Sequence, residues 1–385
     1  MIVTAKRVRF WYRIHKWTSL ICTLFLLSEC LTGLPLIFGE EIFDLTHKHV
    51  HAANVAAGTP LASLDGILAA GKQMYPGLKV LFVGFDDEEP RVFLDLADKY
   101  DPKPGEDHSL VFDAHTGRLL EEQNLSLTWV DYVFKLHTEL FLGLPGELFL
   151  GLMAILVVVS LISGAVVYGP FMRRLDFGTM RKDKGARLRW FDLHNLIGIV
   201  TLLWALVVGL TGAMNTLSDP LFGLWRAQEL PRLLAPYQGK PMPEHFSSVD
   251  RALAEAQRAL PGMKVTSVVF PNPLDSSPRH YVIWTRGATP VTSQLFTPAL
   301  IDVETGNLMV AKALPWYLRA LEVSRPLHFG NYGGPPLKIL WSAFDVALII
   351  VLISGLYLWL SRRKKTFEAE LDELVKLDEL SGVAA

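Results

Sequence analysis

The sequence predicts an α-helical membrane protein with four membrane-spanning helices, built from two tandem repeats that each carry an extracytoplasmic α+β module. Three observations support this prediction. Half of the 385 residues are hydrophobic and the mean hydropathy is +0.28, which exceeds what a soluble chain of this length needs to fill its core. Four apolar segments are long enough to span a bilayer. A series of short motifs in the first half of the chain recurs in the same order in the second half.

The four apolar segments lie at residues 17–38, 147–171, 191–217 and 337–360. Each meets the requirement of roughly 20 helical residues for a hydrocarbon layer of ~30 Å. The first segment follows a basic stretch, as in a signal peptide, but it is longer than the usual hydrophobic region of one. We therefore expect it to be retained as a membrane anchor.

Basic flanking segments predict the orientation of these helices. Residues 1–16, 172–190 and 361–385 contain clustered lysines and arginines, which the positive-inside rule assigns to the cytoplasm. Residues 39–146 and 218–336 then lie outside it. We expect a multi-pass protein of the bacterial inner membrane with cytoplasmic termini and periplasmic modules.

The internal repeat is visible in motifs from both the apolar and the polar segments. The offset between matched positions is 179 residues for His15 and His194 and 191 residues for Gly164 and Gly355. The matched motifs are Arg13-Ile14-His15-Lys16 with Asp192-Leu193-His194-Asn195, Pro76-Gly77 with Pro261-Gly262, Thr116-Gly117 with Thr305-Gly306, Leu136-His137 with Leu327-His328, and Leu161-Ile162-Ser163-Gly164 with Leu352-Ile353-Ser354-Gly355. Similar apolar runs alone would not reproduce the polar motifs, so we predict a duplicated unit.

Each outer segment has the pattern of a small α+β module. A helix at about residues 63–75 or 249–260 precedes a Pro-Gly break, alternating apolar strands and a Thr-Gly hairpin turn. An amphipathic aromatic stretch follows each module, at residues 129–142 and 316–329. We expect these stretches to be helices at the outer membrane surface.

Four histidines occupy matched positions in the two repeats. His15 and His194 begin the first and third spans, at the inner edge of the bilayer, whereas His137 and His328 precede the second and fourth spans, at the outer edge. Ionisable groups at a membrane are functional candidates because they are costly there. The pattern therefore predicts two layers, each with one histidine from each repeat.

Paired imidazoles from opposing helices can bind a haem iron from both faces. A single histidine at this depth is more often an interfacial side chain that reaches water, but four matched histidines favour a cofactor. Zinc requires four ligands at one point, and these histidines are divided between two layers. Small residues would give a flat macrocycle room between helices. They are Gly33, Gly164, Gly198, Gly209, Gly212 and Gly355.

Two weaker candidates lie elsewhere in the sequence. His47, His49 and His51 alternate as on one side of an extended strand, which fits either metal capture or a polar loop. Glu29 and Asp345 lie inside predicted spans, where a carboxylate could accept a proton, form a polar contact between helices or line a solvated crevice.

The duplicated His-bearing helices, the Leu-His segments and the Pro-Gly/Thr-Gly modules together resemble the PepSY-associated transmembrane family, up to about residue 363. Within this family the chain is most similar to iron-regulated di-haem siderophore reductases of the FoxB type, which act in the inner membrane of Gram-negative bacteria. The resemblance implies PepSY-like outer modules and haem ligation by His15, His194, His137 and His328.

Absent motifs restrict the expected chemistry. The sequence has no Gly-x-Gly-x-x-Gly fingerprint for a dinucleotide and no Cys-x-x-Cys-His motif for covalent haem. It also lacks a zincin motif, which argues against a protease. We expect two non-covalent haems, of b type, and a separate electron donor, either a cytosolic reductase or a quinol.

The expected function is transmembrane electron transfer, from a haem at His15 and His194 to one at His137 and His328 and then to a ferric siderophore held between the outer modules. The expected partners are the ferric siderophore, the unidentified donor and membrane lipid, with no nucleic acid. One alternative is a haem-linked quinone or copper reductase of the same architecture. Another is a haem-free sensor or binding protein whose modules recognise peptides.

The orientation can be tested with a reporter that is active only in the periplasm. We expect a fusion after Lys184 to be silent because the flanking arginines keep this loop in the cytoplasm. A fusion after Asp101, in the first outer segment, should be active. The opposite pattern would reverse the predicted direction of electron flow.

Overall fold

The computed structural model describes residues 5–46, 50–56, 58–123, 127–172, 177–181, 184–237, 240–273 and 277–361. The chain forms two compact units. The membrane unit comprises Met1–Phe38, Val133–Ser218 and Ser324–Ala385, and the sheet unit comprises Gly39–Tyr132 and Asp219–Val323.

Four long helices form the membrane unit: α1 (Ala5–Ile37), α5 (Leu144–Met172), α6 (Ala186–Asn215) and α10 (Gly334–Leu360). Each contains an apolar stretch long enough to cross a membrane, which confirms the prediction of a membrane protein with four candidate spans. Helix α1 packs on α5, α5 on α6, α6 on α10 and α10 on α1, so the four helices form a bundle. Two shorter helices, α4 (Trp129–Glu139) and α9 (Trp316–Phe329), lead into the second and fourth spans.

Two clusters of buried side chains form the core of the bundle. One cluster contains Cys30, Trp204, Ala205 and Leu348, and another contains Cys22, Met153 and Val157. Both cysteines are unpaired and buried. Cys22 acts as a small apolar side chain in this packing.

The sheet unit contains one eight-stranded antiparallel sheet with strand order β4-β3-β2-β1-β5-β6-β7-β8. Its helices are α2 (Gly39–Thr46), α3 (Leu64–Met74), α7 (Ser218–Leu234) and α8 (Val249–Ala259). Its strands are β1 (Lys79–Phe85), β2 (Arg91–Ala97), β3 (His108–Asp113), β4 (Leu119–Gln123), β5 (Met263–Val269), β6 (His280–Gly287), β7 (Phe296–Asp302) and β8 (Leu308–Ala311).

The same order of elements occurs in each half of this unit, a helix followed by four strands. The sequence predicts two small modules, whereas the structure joins them through β1 and β5. Phe82, Val83 and Gly84 pair with Val269, Val268 and Ser267. This pairing satisfies backbone groups that two separate sheets would leave exposed at their edges.

The predicted Thr-Gly motifs form the turns that precede β4 and β8. Asp113 accepts hydrogen bonds from the amides of His115 and Thr116, and Gly117 then adopts a φ of +66°. Asp302 accepts in the same way from the amides of Glu304 and Thr305. An aspartate that binds amides two and three residues later, followed by a glycine with positive φ, is a typical turn arrangement.

Helices α3 and α8 bind each other's amino-terminal ends. Asp250 of α8 accepts hydrogen bonds from Ser63 Oγ at 2.6 Å and from the Leu64 amide at 2.9 Å. In return, Asp65 of α3 accepts from Ser248 Oγ and from the Val249 amide, the latter at 2.8 Å. Each carboxylate therefore accepts hydrogen bonds from amides at the start of the other helix, which have no acceptor within their own helix.

These reciprocal caps predict a local loss of stability in Asp65→Ala and Asp250→Ala. Burial raises the pKa of Asp250, but the hydrogen bonds from Ser63, Leu64 and Asp65 outweigh it and hold the pKa below its usual value. A lowered folded-state pKa stabilises the fold at neutral pH, and this contribution is lost as the pH falls through that pKa. We expect each substitution to cost about 1–2 kcal/mol.

Hydrogen exchange of α3 and α8 in the full-length protein measures this loss. Glu88→Ala is the matched control because Glu88 is an exposed carboxylate on the same unit. Equal exchange in the Asp65→Ala protein and the control would show that the caps contribute nothing.

Candidate cofactor sites

The four matched histidines form two pairs inside the membrane unit. His15 of α1 faces His194 of α6, with ring centroids 6.4 Å apart. His137 of α4 faces His328 of α9, with ring centroids 6.3 Å apart. The structure thus brings together the residues that the sequence places in each predicted layer.

Each imidazole is anchored through Nδ1 to the backbone of a neighbouring helix. The acceptors are Ser160 O for His15 at 2.9 Å, Val351 O for His194 at 3.0 Å, Val208 O for His328 at 3.0 Å, and the Glu29 carbonyl for His137. A carbonyl can only accept, so Nδ1 carries the proton in each ring. Nε2 is then left with a free lone pair, the state that binds a metal.

A glycine of the same neighbouring helix lies against each ring, four residues after the accepting carbonyl. A Cβ atom added there would meet the Cε1 atom of the histidine at 2.9–3.4 Å. The pairs are Gly164 with His15, Gly355 with His194, Gly212 with His328, and Gly33 with His137. These four glycines therefore make room for the imidazoles, and not for the macrocycle itself as predicted from the sequence.

A serine or threonine precedes each of these glycines, and its role is not among the sequence-based predictions. Ser354 Oγ lies 2.9 Å from His194 Nδ1, Thr32 Oγ1 lies 2.9 Å from His137 Nδ1, and Thr211 Oγ1 lies 3.3 Å from His328 Nδ1. Ser163 instead donates to Ser160 O, the acceptor for His15. The Ser/Thr-Gly dipeptide that recurs in each of the four spans is the sequence pattern that could have identified these residues.

The spacing within each pair fits one shared metal ion. Two imidazoles that bind a metal from opposite sides through Nε2 at about 2.0 Å, with each centroid about 1.2 Å behind that nitrogen, have centroids about 6.4 Å apart. The two observed separations, 6.4 and 6.3 Å, match this value. Both pairs are therefore spaced for axial ligation by two imidazoles.

A cavity of about 250 Å³ lies beside the inner pair. His15, His194 and Gly198 contribute to its lining, together with mostly apolar side chains. Arg187 and Asn195 also line it, and within the described ranges their buried Nε and Nδ2 atoms have no hydrogen-bond partner. An apolar cavity with paired imidazoles and two hydrogen-bond donors that have no partner fits a flat, apolar cofactor that carries carboxylates, such as haem.

The outer pair differs from the inner pair by one carboxylate. Glu29 Oε2 lies 3.2 Å from His137 Nδ1, and Glu29 Oε1 is buried without a partner among the residues that the structure describes. A carboxylate beside Nδ1 makes the imidazole a stronger ligand. Glu29, a weaker candidate from the sequence, therefore belongs to the outer site.

The predicted histidine cluster of the outer segment is only partly described. His47 and His49 lie outside the described residues. His51 is exposed, and its Nδ1 lies 2.6 Å from Glu89 Oε1. In the part of the chain that the structure covers, no three side chains of His, Cys, Asp or Glu form a group that could hold a metal ion.

The glycine contacts predict that Gly164→Ala disrupts the inner site alone. The added methyl group would lie 2.9 Å from His15 Cε1 and 3.1 Å from Nδ1, so the ring must move away from Ser160 O. We expect the haem content to fall from about two per chain to about one, measured from the absorption spectrum. Gly169→Ala, on the same helix, should have no effect because nothing lies within 4 Å of its added methyl group. An unchanged spectrum in Gly164→Ala would contradict the docking role of the glycine.

Comparisons with known proteins agree with this architecture. The chain is 29% identical over 270 residues to an uncharacterized protein of Pseudomonas aeruginosa, an alignment that covers 65% of this chain and 68% of the relative. The family profile for the PepSY-associated TM region matches residues 12–362. This match includes all four candidate spans and both histidine pairs. The chain therefore belongs to the PepSY-associated TM region family.

Proposed function

We propose that this protein is a di-haem oxidoreductase of the bacterial inner membrane that reduces ferric siderophores in the periplasm. The observation that carries this proposal is the pair of imidazole–imidazole separations, 6.4 and 6.3 Å. In both pairs every Nδ1 is engaged, so every Nε2 is available as a ligand. We infer the acceptor from the resemblance to FoxB-type reductases that the sequence motifs lead us to expect.

The chain's own residues would hold the two cofactors without covalent bonds. His15 and His194 are the proposed ligands of the inner haem, and His137 and His328 are those of the outer haem. Arg187 Nε and Asn195 Nδ2, which have no hydrogen-bond partner among the described residues, would donate hydrogen bonds to the carboxylates of the inner haem. A bound haem of b type supplies reversible one-electron transfer at each site.

The membrane helices set the distance that the electrons cross. His15 and Gly33, the docking position of His137, are both on α1, and about 27 Å of helical rise separates them. His194 and Gly212, the docking position of His328, have the same separation on α6. Both layers are thus held by the same two helices, at a separation close to the hydrocarbon thickness of ~30 Å.

The proposed function includes an internal duplication and a defined orientation in the membrane. We infer that a duplicated unit gave each layer one histidine from each half. In the proposed orientation both termini and residues 172–190 are cytoplasmic, and the PepSY-like modules are periplasmic. A cytosolic reductase or a quinol then supplies electrons at the inner pair.

The acceptor follows from the chemistry of iron release. Oxygen-rich chelators such as hydroxamates bind Fe(III) more tightly than Fe(II), because Fe(II) is less charged and softer. One electron delivered to the ferric complex therefore weakens chelation and frees the iron. The chelator itself is unchanged and can be used again.

Anaerobic mixing of the reduced protein with ferric chelates tests the proposal. We expect ferric siderophores to reoxidise the haems and to yield Fe(II), one ion per electron. The gallium(III) complex of the same siderophore is the matched control, since it has the same shape but accepts no electron. His137→Ala should retain about one haem per chain and should transfer electrons to the chelate much more slowly.

Three outcomes would contradict the proposal. A colourless purified protein would favour the haem-free binding protein. Reoxidation by quinone or Cu(II), but not by any ferric chelate, would favour the quinone or copper reductase. Two low-spin haems in His137→Ala would show that the ligands are wrongly assigned.

A further inference from the structure

A small polar cluster lies inside the membrane bundle, between the two histidine pairs. Asp345 of α10 is 6% exposed, Cys30 of α1 is 4% exposed and Trp204 of α6 is 8% exposed. The Cys30 thiol forms a hydrogen bond with the Asp345 carboxyl group. Among the described residues, Asp345 Oδ2 and Trp204 Nε1 are buried without any partner.

This cluster is nearer to the outer pair than to the inner pair. Asp345 lies ten residues before Gly355, the docking position of His194, which corresponds to about 15 Å of helical rise. Its neighbour Cys30 lies three residues before Gly33, the docking position of His137, which corresponds to about 5 Å. In the described part of the chain, the hydrogen bonds of the four histidines do not involve Asp345.

The carboxylates break the symmetry of the bundle. With the offsets of the repeat, Glu29 and Cys30 correspond to Val208 and Gly209, and Asp345 corresponds to Ala154. In the middle of the spans, the described carboxylates are thus Glu29 on α1 and Asp345 on α10, and the matched positions on α6 and α5 carry the apolar Val208 and Ala154. Packing alone does not require a carboxylate at position 345, because the other half of the bundle packs without one.

The surroundings of Asp345 contain few other ionisable groups. On α1 the facing groups are Glu29 and Cys30, and α6 has none between Gly198 and Gly212. On α10 the nearest charged residue is Lys338, two helical turns away. Within the described ranges no Lys, Arg or His forms an ion pair with Asp345. An ionised carboxylate here is therefore unfavourable unless positive charge is present in the bundle.

We propose that Asp345 binds the proton that balances the charge of an electron in the membrane bundle. The inference rests on the proposed function, since a ferric haem with two neutral imidazoles carries one net positive charge, which is lost on reduction. When one electron arrives from the donor, the Asp345 carboxylate takes one proton from water and becomes a neutral carboxylic acid. When the electron leaves for the acceptor, the proton leaves as well, and the net charge of the bundle is unchanged.

A redox titration of the haem-containing protein at several pH values tests this assignment. Because reduction takes up a proton, the midpoint potential of the wild-type protein should fall as the pH rises. In Asp345→Asn this slope should fall by roughly half or more. Ser342→Ala is the matched control on the same helix, since Ser342 Oγ donates to the Lys338 carbonyl, and it should keep the wild-type slope.

A second measurement requires no variant. A hydrophobic carbodiimide labels protonated carboxyl groups in apolar surroundings, and mass spectrometry locates the label. We expect more label on Asp345 in the reduced wild-type protein than in the oxidised protein. This result would stand even if Asp345→Asn failed to fold.

The outcomes separate this inference from the proposed function. A wild-type slope in Asp345→Asn, or equal labelling in both redox states, overturns the role of Asp345 while ferric-chelate reduction can still hold. A purified protein without haem overturns both.

Discussion

The hydrogen bond from each histidine Nδ1 to a backbone carbonyl of a neighbouring helix is the interaction on which the membrane unit depends. That carbonyl accepts a bond within its own helix, and in each span it also accepts one from the serine or threonine three residues later. The imidazole can reach it only where a glycine leaves room, as at Gly164 and Gly355. Because the bond occupies Nδ1, Nε2 is the nitrogen that remains available to a metal. Helix register, ring orientation and tautomer therefore follow from one contact that occurs four times.

This arrangement explains why each site needs two helices beyond those that carry the histidines. His15 and His194 belong to α1 and α6, but their anchoring carbonyls belong to α5 and α10. His137 and His328 are held in turn by α1 and α6. Every span therefore takes part in binding at least one imidazole. A shift of one helix would change the separation within a pair, which makes the spacing of about 6.3 Å a property of the whole bundle.

The polar groups within the bundle are arranged less symmetrically than the histidines. Glu29 lies beside only one of the four rings, and Asp345 has no acidic counterpart in the matched half. Buried carboxylates are costly in a membrane and are retained where they serve a function. The two histidine pairs thus share one geometry but differ in their electrostatic surroundings. Such a difference would give the two proposed haems different affinities for an electron.

The sheet unit is stabilised in a different way from the membrane unit. Its core lies between one face of the sheet and helices α3 and α8, and includes Ile67, Leu94 and Ile283. Asp65 and Asp250 bind the ends of these helices reciprocally, so each half supplies a cap for the other. The pairing of β1 with β5 extends this mutual dependence to the backbone.

The sequence by itself determined the four candidate spans and the helix and strand order of the outer segments, because hydropathy and local motifs act over short stretches of chain. It did not predict that β1 pairs with β5, since strand pairing between distant segments leaves no local pattern. It identified His15, His194, His137 and His328, but missed Thr32, Thr211, Ser163 and Ser354. Their role depends on which helix faces which, and only tertiary packing decides that. The glycines were recognised as small residues, yet only the structure assigns four of them to the imidazoles, because the same local sequence could equally have faced lipid or a neighbouring helix.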